Sequence, residues 1–168
     1  MAAINSNHLL AQAETLVAAP AGAPRQVDLR RAISSAYYAV FHSVATALAD
    51  QFIGVAKRAV SQYGLVYRSL DHRTLANLCD DLKKPIPPAR LAKHVPPGGF
   101  SANLKSMFAA VKDLQEKRHS ADYDPMIKFH AADAQLAIES ARSAIVRFQQ
   151  ATEAERIAFL ALLVFEPH

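Results

Sequence analysis

The chain has 168 residues, 51% of them apolar, which suits a single domain over residues 1–168 whose core buries roughly two-thirds of the unfolded surface and excludes wholesale disorder. One cysteine, Cys79, excludes an internal disulfide and a multi-cysteine zinc site, and a formal charge of +4 is compatible with an RNA partner without requiring one. The longest apolar run, Ile157 to Phe165, is far too short for a membrane span, and Met1 to Ser6 lacks the basic start of a secretory signal, so the expected setting is cytoplasmic.

Ala and Leu dominate the apolar residues, and the nine prolines fall where helical periodicity pauses, which predicts an all-α fold. A first helix is expected from about Ser6 to Ala19, with Leu9, Ala13, Leu16 and Val17 on one face and Pro20 to Pro24 as its stop. A long second helix, about Val27 to Phe52, places Ile33, Tyr37, Val40, Phe41, Val44 and Leu48 on a core stripe. A second stripe on the same helix, Arg31, Ser35, Tyr38 and His42, is strongly polar.

Val55 to Tyr67 reads as a weaker helix, followed by one from Asp71, its N-cap, to Lys83 with Leu75, Leu78, Cys79 and Leu82 inward. Lys84 to Phe100 is proline-rich and reads as a long exposed loop. Ser101 caps the next helix, which keeps Leu104, Met107, Phe108, Val111 and Leu114 on one side as far as Ala121. After Pro125 a helix from about Met126 to Gln150 points Ala134, Ile138, Ala141, Ile145 and Phe148 inward. Thr152 and Glu155 form a capping-box pattern ahead of a C-terminal helix over about 152–166. Its segment Ile157 to Phe165 is apolar all round, so covering it calls for more than one contact surface; a two-fold partner or a groove in the chain's own bundle can supply the second, and a homodimer is expected.

Two stretches, Leu29-Arg-Arg-Ala-Ile-Ser-Ser-Ala-Tyr-Tyr-Ala-Val-Phe-His42 and Leu114-Gln-Glu-Lys-Arg-His-Ser-Ala-Asp-Tyr-Asp124, resemble the HEPN family of small helical proteins. The resemblance covers about residues 29–148, and His72 stands between the two motifs where relatives often carry a histidine. It implies an up-and-down bundle of four to five main helices, usually a symmetric dimer. Many such proteins are metal-independent endoribonucleases of toxin–antitoxin or defence systems; others are noncatalytic partners of a nucleotidyltransferase. Active relatives carry an Arg, four to six intervening residues and then a His on one helix, whereas here Tyr123 stands five residues after Arg118.

Metal-free RNA cleavage needs a base for the 2′-hydroxyl proton, an acid for the leaving oxygen and a cation for the phosphorane charge. Arg118 can supply the cation, His42 the base, and Tyr123 and Tyr38 hydrogen-bond donors, with Arg31, Ser35, Asp122 and His72 binding around them. The same residues also admit a reading without chemistry. Arg118 and Asp122 are an i, i+4 pair, Tyr37, Tyr38 and Tyr123 can be core aromatics, and His42 can satisfy Asp122 or a backbone carbonyl. No two of the seven histidines stand at i, i+4 on one helix, so no metal is expected, and with no Gly-rich phosphate loop in the sequence no cofactor is expected either.

Overall fold

A computed structural model describes residues 4–18 and 22–165. Over these residues the chain is all-α, with eight helices, no strands, and a bundle-like packing. They are α1 (Ser6–Val17), α2 (Gln26–Phe52), α3 (Ser61–Ser69), α4 (His72–Leu82), α5 (Ala89–Ala92), α6 (Ala102–Tyr123), α7 (Ala131–Gln150) and α8 (Glu153–Val164). The expected first-helix end at Ala19, its stop residues Pro20 and Ala21, and the C-terminal limit at Glu166 lie outside the described residues.

Helix α2 is the hub, packing against α1, α3, α6, α7 and α8. Every residue of its expected core stripe is buried, together with Ala32, Ala36, Ala39, Ala45 and Ala49. Small side chains let neighbouring helices approach α2 from several directions, which is why it is enclosed over most of its length. The inward residues expected on α4, α6 and α7 are likewise buried.

Local chemistry fixes the helix ends. Asp71 caps α4 by accepting from the Thr74 amide at 2.9 Å, and Ser101 caps α6 through the Leu104 amide. Thr152 and Glu155 close the capping box of α8. Glu155 reaches further, because its other carboxylate oxygen accepts from the backbone N–H of Ser101 at 2.7 Å. One carboxylate thus joins the starts of two helices. Burial by itself raises the Glu155 pKa, but the hydrogen bonds from Ser101 and Thr152 outweigh it and hold the group below its ordinary value.

Three expectations need correction. The stretch Val55 to Tyr67 divides into a 3₁₀ turn, Val55–Lys57, and α3, which starts at Ser61 and contains Gly64 in its interior. The proline-rich segment is not simply an exposed loop: it contains α5, with Leu91 fully buried and Phe100 in the core. Helix α7 begins at Ala131, five residues later than Met126. The segment before it is held off helix by α2, whose Gln26 side chain donates to the Phe129 carbonyl and accepts from the Phe129 amide. His130 then caps α7 in a reciprocal pair with Asp133.

On α8 the fold itself covers Phe159, Leu160, Leu162 and Leu163, while Ile157, Val164 and Phe165 stay exposed. No helix of the described residues is long and apolar enough to cross a membrane.

Candidate functional site

Helix α2 carries a row of polar side chains at strict four-residue spacing: Gln26, Arg30, Ser34, Tyr38 and His42. Such a row forms one ridge of a helix surface. Each member is tied to another element. Gln26 holds Phe129, and Arg30 donates to the Ala121 carbonyl at 2.8 Å and to that of Ile127. A guanidinium at these carbonyls also complements the negative end of the α6 dipole. Ser34 Oγ donates to Asp122 Oδ1 at 2.5 Å.

Tyr38 Oη accepts from Arg118 Nη2 at 2.8 Å, and the guanidinium carbon lies 5.4 Å from the Tyr38 ring centre and 5.7 Å from that of Tyr123. Arg118 Nε is 2.9 Å from Asp122 Oδ2 but off the line of a hydrogen bond, so that contact is ionic only and the Nε–H is left without an acceptor. The Arg118 side chain is 13% exposed. It is a fixed, largely enclosed cation.

Two imidazoles pack near the Tyr38 ring. His42 Nδ1 lies 2.7 Å from Tyr67 Oη of α3, and the two rings stack. His72, the first residue of α4, has Nδ1 2.9 Å from Tyr37 Oη, and its ring packs 4.1 Å from that of Phe41. The Tyr38 ring centre is 6.2 Å from His42 and 5.7 Å from His72. Burial lowers the pKa of both imidazoles; His72 further depresses His42, and Arg118 further depresses His72, against a smaller opposite pull from Asp71. Burial raises Tyr37 and Tyr67, so both hydroxyls stay protonated near neutrality.

The cluster therefore brings together His42, Tyr38, His72, Arg118 and Asp122 of the expected site. Tyr123 stands at the end of α6, 65% exposed and tilted against His119, which corrects its reading as a core aromatic; Tyr37 is the buried one. His42 is satisfied by Tyr67 rather than by Asp122, and Asp122 takes Ser34 and Arg118 instead. Arg31 is exposed and Ser35 is buried in helix packing. Reading the polar face as Arg31 and Ser35 missed their predecessors Arg30 and Ser34, along with Gln26 and Tyr67. The regular interval from Gln26 to His42 is the signal that could have found three of them.

The chemistry available is a fixed cation, hydroxyl donors, and two imidazoles whose Nδ1 atoms are committed and whose Nε2 atoms remain for proton exchange. No group of three or more His, Cys, Asp or Glu arranged to hold a metal occurs among the described residues. Comparison with protein-family models, curated proteins and solved structures gave no match.

Proposed function

We propose that this protein is a HEPN-like, RNA-directed domain, an up-and-down bundle of four to five main helices, that cleaves RNA without a metal at the His42–Tyr38–Arg118 cluster. The observation that carries the reading is the guanidinium pinned to the Tyr38 hydroxyl with the His42 ring centre 6.2 Å from that of Tyr38. Arg118 binds the scissile phosphate and stabilises charge as it develops on the phosphorane. The Tyr38 O–H, its oxygen already accepting from Arg118, donates to a phosphate oxygen. His42, kept neutral by burial, takes the 2′-hydroxyl proton at Nε2. The exposed Tyr123 ring beside Arg118 offers a face on which a base can stack. The molecule acts as a homodimer in this reading, with exposed Ile157, Val164, Phe165 and Phe52 in support.

A second reading, a noncatalytic dimerisation module that pairs with a nucleotidyltransferase, has its own support. The α2 ridge is satisfied within the chain from Gln26 to His42, as helix-to-helix glue would be. An RNA digest in chelator separates the two. Cleavage by the wild type, lowered at least about tenfold by Arg118→Ala and by His42→Ala, is expected for the nuclease. No cleavage by the wild type, with both variants melting at lower temperature, would leave the module.

A further inference from the structure

We infer that His72 is a second catalytic histidine of this cluster, the general acid that protonates the leaving 5′-oxygen while His42 acts as the base. The inference rests on the ribonuclease reading and deepens it. The two histidines are built alike although they come from different helices. Each commits Nδ1 to the hydroxyl of a buried tyrosine, Tyr67 for His42 and Tyr37 for His72. Each packs against Phe41 and Tyr38, and each is half-buried rather than enclosed. A histidine serving only as core filling needs neither a fixed ring plane nor an open edge. Here both imidazoles are aimed, and both ring centres lie within 6.2 Å of that of Tyr38, which Arg118 holds.

The step balances as a transesterification. His42 Nε2 takes the 2′-hydroxyl proton as the 2′-oxygen bonds to phosphorus. The P–O5′ bond breaks with its electron pair going to O5′, and His72 Nε2 gives that oxygen a proton. A 2′,3′-cyclic phosphate and a 5′-hydroxyl result, and the pair has exchanged the roles of acid and base.

The groups around the pair set which ring holds the proton. They are Tyr37 and Tyr38 on α2, Tyr67 on α3, Asp71 at the start of α4, and Arg118 with Asp122 on α6. Mutual repulsion of two imidazolium rings disfavours protonation of both. Without ligand, Arg118 and the N-terminal end of α4 oppose charge on His72. A phosphate on Arg118 offsets that cation and leaves the Asp71 carboxylate acting on His72, so substrate binding itself favours the protonated form of the ring that must give up a proton.

The test compares an RNA oligonucleotide with a ribonucleoside 3′-(4-nitrophenyl phosphate), whose leaving group needs no proton. His72→Asn and His42→Asn each keep a polar atom near the former Nδ1 for the tyrosine. His72→Asn is expected to cut RNA at least about tenfold more slowly yet cleave the aryl ester within about twofold of wild type, whereas His42→Asn slows both. The wild type supplies a second readout that needs no variant: its rate on RNA falls on the alkaline side, and that fall is missing with the aryl ester. His72→Asn cutting RNA at the wild-type rate, or losing both substrates equally, overturns the assignment alone. A wild type that cleaves neither substrate overturns the ribonuclease reading and the assignment together.

Discussion

Replacing Glu155 with alanine removes the one side chain that holds the starts of α6 and α8 together. The carboxylate is 7% exposed and accepts from the Ser101 amide at 2.7 Å, the Thr152 amide at 3.1 Å and the Thr152 hydroxyl at 3.0 Å. Hydrogen bonds to a charged group contribute about 1.5–3 kcal/mol each but share one carboxylate here, so the expected loss is about 3 kcal/mol. For a chain of this size that lowers Tm by roughly 6–12 °C. Glu155→Gln keeps the shape and one acceptor oxygen, and about half that loss is expected. The pH dependence gives the sharper check. The folded-state pKa lies below the unfolded one, so the contribution is fully present above about pH 4.5 and disappears as pH falls through the folded value. Thermal melts of wild type and Glu155→Gln from pH 7 to pH 3 should therefore converge at the acid end. A gap that stays constant over that range, or a Glu155→Ala melt within about 1 °C of wild type, would refute the reasoning.

Three further outcomes are expected. Leu91→Ala, in the proline-rich segment, should cost about 3 kcal/mol in urea unfolding because Leu91 is fully buried; a loss below about 1 kcal/mol would mean the segment lies loosely. Arg30→Ala frees the last carbonyls of α6 and should cost about 2 kcal/mol, with hydrogen exchange rising first at the end of α6 and in residues 124–130. Light scattering at micromolar concentration should give twice the 18.3 kDa chain mass; a folded, soluble monomer would exclude the dimer.

The parts of the fold legible in the sequence are those decided by one helix at a time. The stripes of α2, α4, α6 and α7 follow from 3.6-residue spacing, and the caps Asp71, Ser101 and Thr152 act within three residues of themselves. What was misread depends on contacts far along the chain. Pro125 invites a helix start, but Gln26 and Arg30 claim the carbonyls of Phe129 and Ile127 from about a hundred residues away, and the helix waits until Ala131. Leu91 is buried by the packing of its segment, which no local pattern announces. At the cluster, Tyr38, His42 and Arg118 were identifiable by residue type and spacing, whereas the partners of the imidazoles depend on how α3 and α4 lie against α2. Choosing Ser35 over Ser34 is an error of one residue, yet one residue turns a side chain by about 100°, from the α6 C-terminus into the alanine-rich packing.

The α2 ridge has a consequence for tolerance to change. A surface of alanines grips its neighbours without recognising them, since one turn of such a helix looks much like the next. Gln26, Arg30 and Ser34 act as notches on a ruler: Arg30 and Ser34 each take one mark at the end of α6 and Gln26 one in the segment that follows it, and together they forbid α6 to slip along α2 by a turn. The position of Arg118 against Tyr38 is thus measured out from residues up to three turns away. Inserting one residue between Arg30 and Ser34 would leave every cluster residue in the chain and the core composition unchanged. It would still turn the two halves of the ruler apart by a quarter-turn or more, and the guanidinium would no longer meet the ring it now touches.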